Sequence, residues 1–343
     1  MKIHYLTNKI AWFGKYSGYE CLSNYLPAGN QIKLYASKSG FINKVFGKVF
    51  QLLYKWQFKR PSDVFAEVQF LQKIKSADIS HVLYLDYHVH IISKVKANAP
   101  VTGTIHIPFS YWKEENLQLL PKLKNYIILY DRDVEKFQAY APDSKFHVIK
   151  HGVDISFFSP RNDLQVKRNK VLFVGHYLRN FEMFYNTYNA ISEKTSDDLE
   201  YHFIIPAINR KHQWLVDIAD KPNVFFHEKL SDEELLMHYQ DSYLLMMPMQ
   251  ESGANTAIVQ AIAVGLPILT TDIGGIRSYG GGSVFPIVDN NDTNALTDLF
   301  FKYYNDSNYR NEISLKQRQF AVNELDWDKI AKQHTDLYQQ LLS

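Results

Sequence analysis

Short, almost continuously apolar runs alternate with helix-like stretches along the whole chain. That alternation limits the fold more than any other feature. The strand candidates of the first half are Ile3–Leu6, His81–Leu85, Thr102–His106, Tyr126–Leu129 and His147–Ile149. In the second half they are Val171–Val174, Tyr201–Ile205, Val224–His227, Ser242–Met247 and Ile268–Thr271. Helical periodicity lies between them, for example over Val64–Ile74, Asp232–Tyr239 and Asn294–Tyr304. Strands that are apolar on both sides need cover on both faces, which predicts parallel sheets sandwiched by helices. A chain of 343 residues is long for one core, and the order of elements repeats loosely in its halves. Two doubly wound domains are therefore expected. The turn-rich segment His151–Pro160, followed by the polar stretch Arg161–Lys170, reads as their boundary. Ligands of such sheets bind beyond the carboxyl ends of the strands, so a cleft between the domains is the expected site.

Composition narrows the class. Hydrophobic content of 46% and charged content of 22% are those of a soluble globular enzyme. Cys21 is the one cysteine, which rules out an intrachain disulfide and suits a reducing compartment. The start, MKIHYLTNKIAWFG, reads as a first strand rather than a signal peptide. No apolar run reaches the length of a membrane span. A cytoplasmic protein is expected. The net charge of +2 hides an asymmetry: residues 1–150 hold 21 Lys+Arg against 11 Asp+Glu, and residues 151–343 hold 17 against 25. The first half, at +10, is expected to face something anionic.

Chemistry concentrates in ESGANTAIVQAIAVGLPILTTDIGG, residues 251–275. Glu251 precedes a small-residue loop, Ser252-Gly253-Ala254-Asn255-Thr256, that opens a helix stopped by Gly265 and Pro267. Such a loop turns free backbone N–H groups toward one point, and the helix dipole adds partial positive charge there. That suits phosphate. An ionised carboxylate accepts hydrogen bonds from hydroxyls, so Glu251 suits a sugar. A sugar diphosphate combines both.

Five stretches, in order, resemble the GT-B glycosyltransferases, specifically the retaining nucleotide-sugar enzymes of family 4, or group 1. KFHVIKHGVDISFFSP is similar to the interdomain signature, and KVLFVGHYLRNF to the first strand of the donor domain. PNVFFHEKLSDEELLMHYQDSYLLMMPMQES resembles the approach to the nucleotide, and residues 251–275 the carboxylate–helix–carboxylate element. WDKIAKQHTDLYQQLL resembles the closing helix that crosses back to the first domain. The resemblance implies two Rossmann-like domains facing a central cleft. The acceptor domain would span 1–155 plus a helix over about 325–343, and the nucleotide-sugar domain 160–322.

It also implies roles. Glu251 would contact the donor sugar, and Gln260 would meet the ribose in place of the usual Glu, nine positions after Glu251 instead of eight. The amides of Gly253, Ala254, Asn255 and Thr256 would hold the β-phosphate, while Asn255 or Thr256 caps the helix. Gly175 ends a strand and opens the loop His176-Tyr177-Leu178-Arg179-Asn180, where Arg179 is the phosphate cation. Leu230 joins the donor-binding set. His106, at the end of a first-domain strand, would donate to a sugar hydroxyl or use its carbonyl near the anomeric carbon. His88 and His90 are its rivals; their spacing also suggests a metal pair, but no further ligands lie nearby in sequence. Ser17 and Gly18, in Phe13-Gly14-Lys15-Tyr16-Ser17-Gly18-Tyr19-Glu20, would approach the phosphates or the acceptor. Asp131-Arg132-Asp133 looks like the metal-chelating motif of a different fold and reads here as a polar, capping turn.

The implied reaction moves a sugar, glucose from UDP-glucose, with retention and without metal or cofactor. Its acceptor is a saccharide or lipid-linked saccharide of polysaccharide biosynthesis. A UDP-sugar epimerase of the same fold is the alternative. A dinucleotide oxidoreductase is disfavoured because no G-x-G-x-x-G follows a strand, and no nucleic-acid partner is expected. Residues 41–60, with Lys44, Lys48, Lys55, Lys59 and Arg60, read as an amphipathic helix. It would touch an anionic membrane at the inner face, form an acceptor pocket for a lipid-linked sugar, or pack into the core with a solvated basic edge. Gly47 weakens it by about 1 kcal/mol.

Overall fold

The computed structural model describes residues 1–8, 14–37, 40–54, 60–96, 100–161, 169–195 and 199–343. Phe13, Lys55, Lys59 and most of the polar stretch after Arg161 lie outside these residues. The chain forms two compact units. The first comprises Met1–Phe13, Gly18–Lys150 and Asp328–Ser343; the second comprises Gly14–Ser17 and His151–Trp327.

The first unit is built on a six-stranded parallel sheet of order β2-β1-β3-β4-β5-β6. Its strands are β1 (Lys2–Thr7), β2 (Gln31–Ala36), β3 (Ile79–Val82), β4 (Val101–Ile105), β5 (Asn125–Ile128) and β6 (Lys145–Val148). β3 and β4 are buried along their whole length, as strands covered on both faces must be. Two expectations change here. The strand read over His81–Leu85 ends at Val82, and Leu85–His88 is a helical turn. β2 escapes the sequence reading because it is an edge strand, largely exposed, whose QIKLYA lacks a continuous apolar run.

Helices α1 (Phe41–Tyr54) and α2 (Pro61–Lys73) follow β2. Gly47 weakens α1 intrinsically, yet a Cβ there would come within 1.8 Å of the Pro61 carbonyl oxygen. The glycine is what lets the two helices approach. Helix α3 (Val134–Tyr140) follows β5. Asp133 stands at its N-cap without a side-chain cap bond. Its buried carboxylate instead accepts from the Phe109 amide, the Tyr130 hydroxyl and the Lys136 ammonium, so within the triplet Asp133 is a brace and not a side-chain cap.

The second unit has a five-stranded parallel sheet of order β11-β10-β7-β8-β9. These are β7 (Lys170–Val174), β8 (Glu200–Ile204), β9 (Val224–His227), β10 (Ser242–Met246) and β11 (Ile268–Leu269). Its helices are α4 (Phe181–Ser192), α5 (Asp232–Asp241), α6 (Thr256–Val264), α7 (Thr293–Asn305) and α8 (Ser307–Phe320). The final helix, α9 (Trp327–Leu342), belongs to the first unit from Asp328 onward. There the Tyr338 hydroxyl lies 3.2 Å from that of Tyr5 and 2.6 Å from His81 Nδ1. His334 Nδ1 donates to the Ile330 carbonyl at 2.8 Å, so its Nε2 accepts from the Tyr19 hydroxyl at 2.7 Å. No helix among the described residues is long and apolar enough to cross a membrane.

Candidate active site

In the second sheet, β7 is followed by β8 on one side, while β10 lies on its other side and continues to β11. Connections therefore leave β7 and β10 in opposite directions. Between their carboxyl ends lies the crevice where open α/β sheets bind ligands. The loop after β7 carries Gly175 and Arg179, and the loop after β10 carries Glu251 to Thr256. The two are hydrogen-bonded to each other: the Asn180 amide donates to Pro248 O at 2.9 Å, and the Gln250 amide to Leu178 O at 2.9 Å.

Gly175 has φ 80°, the left-handed region that favours glycine. A Cβ there would come within 2.8 Å of Arg179 Nη2. The missing side chain lets the guanidinium fold back. Its Nε and Nη2 donate to Val174 O at 3.1 and 2.9 Å, and its Nη1 to Tyr177 O at 2.8 Å. These bonds use three of its five N–H groups, and Arg179 has no carboxylate partner among the described residues. Desolvation draws its pKa down to about 10, which leaves it cationic at neutral pH. It is a half-buried, preoriented cation. Asn180 caps α4, accepting from the Met183 amide at 3.0 Å.

On the opposite loop, Asn255 caps α6: its Oδ1 accepts from the amides of Ala257 and Ile258 at 3.1 and 3.4 Å. Thr256 is the first helical residue. The amides of Gly253, Ala254, Asn255 and Thr256 have no acceptor among the described residues. The half-exposed Glu251 accepts from the Ser252 amide at 3.0 Å through Oε1. Gly274 makes room for it, since a Cβ there would fall 2.5 Å from that same oxygen and 1.8 Å from Ser252 O. One wall thus presents a carboxylate and a row of unused donors, and the other an arginine.

Gln260 is placed differently from a ligand contact. It is buried, with 3% exposure, and both ends of its amide are engaged. Oε1 accepts from the Tyr239 hydroxyl at 3.1 Å, and Nε2 donates to Ser17 Oγ at 3.0 Å. Ser17 is itself buried. Residues 14–17 are held in this unit by further contacts. The Lys15 amide donates to Asp232 Oδ2 at 2.7 Å, and Tyr16 stacks on Phe157 with centroids 3.8 Å apart. Gly14 is required there, because a Cβ would meet the Asp232 carboxylate at 2.0 Å. Leu230 is half-buried just before Ser231, the N-cap of α5. The sequence reading passed over Tyr239 and Asp232. A signal for Asp232 was present, since Ser231-Asp232-Glu233-Glu234 forms a complete capping box that marks the start of α5.

The first unit gathers polar groups at the carboxyl ends of β1, β3 and β4. His106 Nε2 donates to Leu83 O at 2.6 Å, and its amide donates to Asp86 Oδ1 at 2.9 Å. Its ring stacks on Tyr84 and meets Tyr19 edge-on. Desolvation lowers its pKa to about 4, so the ring is neutral. With Nε2–H committed to a carbonyl, the ring offers an acceptor at Nδ1 rather than the donor expected of it. Gly18, at φ 98°, starts the turn that carries Tyr19. His88 and His90 both bind the buried Glu67, at 2.6 and 2.9 Å. Burial alone would raise that carboxyl, but the two histidines outweigh it and hold it at about 2. The pair serves a carboxylate.

Residues 168–306 match the sequence profile of the glycosyl transferases group 1 family. A D-inositol 3-phosphate glycosyltransferase from Corynebacterium urealyticum is 29% identical over 110 residues, which is 32% of this chain and 26% of that protein. The match thus spans about a quarter of that relative's length. Among solved structures, a sucrose-phosphate synthase from Thermosynechococcus elongatus superposes with a TM-score of 0.76 at 16% identity, covering 99% of this chain and 98% of the other. Anabaena HepE in complex with UDP-glucose gives a TM-score of 0.76 at 14% identity, covering 99% and 100%. Residues 168–306 are thus similar to the group 1 glycosyltransferases, and the chain around them has the two-sheet α/β fold of the GT-B glycosyltransferases.

Proposed function

We propose that the protein transfers glucose from UDP-glucose, with retention, onto a saccharide or lipid-linked saccharide acceptor. The observation that carries this reading is the pair of loops at the switch point of the second sheet. They put Glu251, four acceptor-free amides and Arg179 on two loops hydrogen-bonded to each other at the carboxyl ends of β7 and β10. The amides and Arg179 would hold the diphosphate, where negative charge grows as the glycosidic bond breaks. Glu251 would accept from sugar hydroxyls. UDP and UDP-glucose occupy complexes of the HepE structures that share this fold. The first unit would take the acceptor. In the transfer, the acceptor oxygen bonds to the anomeric carbon as the bond to the β-phosphate breaks. The acceptor's proton leaves with the departing phosphate in a front-face reaction, while a covalent intermediate would use a carboxylate such as Glu251. Neither route draws on a metal or a cofactor.

The reading includes work at the cytoplasmic face of a membrane. Seven apolar residues of α1 are exposed: Phe41, Ile42, Val45, Phe46, Val49, Leu52 and Leu53. At helical spacing they form one stripe, flanked by the exposed Lys44 and Lys48. An apolar stripe edged by cations suits an anionic lipid surface.

Incubating the protein with UDP-glucose and candidate acceptors, and following the anomeric proton by NMR, tests the reaction. An α-linked product with release of UDP supports it; a UDP-sugar epimer appearing without acceptor overturns it. Glu251→Gln should cut turnover at least tenfold while UDP affinity, read by calorimetry, stays within a few-fold. Loss of UDP binding in that variant would move Glu251 from the sugar to the nucleotide.

A further inference from the structure

Three histidines that the transfer reaction does not use converge in the second unit. β8 contributes His202, β9 contributes His227 and α5 contributes His238, and one ring nitrogen from each lies within 4.8 Å of the others. His202 and His227 are parallel, 2° apart in plane, with His202 Nδ1 2.9 Å from His227 Nε2. His238 lies against His227 with ring centroids 4.4 Å apart. Its ring nitrogens have no hydrogen-bond partner among the described residues.

Protons can be assigned. His202 Nε2 is 3.0 Å from Glu200 Oε2, and an ionised carboxylate only accepts. Nε2 therefore carries the hydrogen, which leaves Nδ1 as a bare lone pair directed at His227. This is the arrangement of a metal-ligating histidine, with a carboxylate behind it fixing the tautomer. Desolvation lowers the pKa of all three rings, and that of His238 reaches about 4. The neutral form, which metals bind, prevails at neutral pH. Around the cluster, Lys170 and Arg210 oppose added positive charge, while Glu200 and Asp241 favour it.

We propose that His202, His227 and His238 bind one divalent transition-metal ion of the zinc class, backed by Glu200. Imidazole donors select zinc, copper, nickel or cobalt over magnesium and calcium. Nitrogens bound to one tetrahedral zinc lie about 3.4 Å apart, so small side-chain rotations bring the trio into range. The ion would take the lone pair of His227 Nε2, and the proton that His227 shares with His202 would pass through solvent to His227 Nδ1, which keeps the ring neutral. The ion would also pin α5 to the sheet, and α5 carries Tyr239 and Asp232, the partners of Gln260 and Lys15. The site shares no residue with the loops that flank the crevice.

The test is calorimetric titration of the chelator-treated full chain with zinc chloride. One zinc should bind per chain. Affinity should fall at least tenfold in His238→Gln and in His227→Ala, and magnesium should give no binding. Zinc affinity unchanged in both variants, or no zinc binding at all, overturns the proposal. Anomalous diffraction from zinc-soaked crystals of the unaltered protein needs no variant to fold. A peak bonded to the three rings supports the site, and a peak elsewhere or none overturns it.

Discussion

At the scale of single residues, what matters is which polar groups remain unspent. Arg179 keeps free N–H groups and its charge after bracing the end of β7. A hydrogen bond from a charged donor to phosphate contributes about 1.5–3 kcal/mol. Arg179→Ala should therefore weaken UDP binding roughly ten- to hundredfold by calorimetry. Equal affinity in the variant would count against a phosphate role for Arg179. Gln260 is the opposite case, because Tyr239 and Ser17 consume both ends of its amide. Gln260→Glu would replace a buried donor with a buried charge. It should lower stability by about 1–3 kcal/mol in urea unfolding. A variant as stable as the parent would show that this amide is not the tie the geometry makes it.

The elements show why sequence periodicity reads some pieces well and others poorly. Asn255, Thr256, Gly265 and Pro267 bracket α6 in the sequence, and the helix runs from Thr256 to Val264 with Gly265 in the left-handed conformation. Capping and stop signals are local chemistry, so sequence reports them. Helix α1 is less transparent. Its apolar residues could have met a core or a membrane, and periodicity is the same for both. Packing through Gly47 and the stacking of Phe46 and Phe50 on Phe65 turn the remaining stripe outward. Vesicles containing anionic phosphatidylserine should therefore co-sediment the protein. Leu52→Glu combined with Leu53→Glu should abolish that without altering thermal stability by more than a degree or two. Binding that survives the double substitution would assign the lipid contact elsewhere.

Over the whole molecule, buried histidines make folding acid-sensitive. His334 is fully buried among Tyr19, His81 and Tyr338, and desolvation holds its pKa at about 4. An unfolded chain binds that proton near pH 6.5. Between about pH 6.5 and 4 the unfolded state thus carries a proton the folded state lacks, and stability falls as pH falls. This one group accounts for about 3 kcal/mol at the acid end. Asp86 works in the reverse sense, because burial raises it to about 6 and the folded state takes up its proton first. His81, lowered by the same burial, adds to the histidine side. Urea midpoints measured from pH 7 to pH 4.5 should decline steadily, and a flat profile would contradict neutral buried histidines. His334→Gln should flatten it in part.

Amino-acid order alone determined the class of fold and the chemistry of the loop over residues 251–256. Apolar runs bounded by turn residues must become covered strands, and a carboxylate before a small-residue helix start is a property of neighbours in the chain. Tertiary structure decided everything that depends on partners far apart in sequence. It spent Gln260 on Tyr239 and Ser17, committed His106 Nε2–H to Leu83, gave His88 and His90 to Glu67, and brought His202, His227 and His238 together. The reason is physical. A buried polar atom must be paired, and which atom pairs it is settled by how sheets and helices pack, not by the residues on either side.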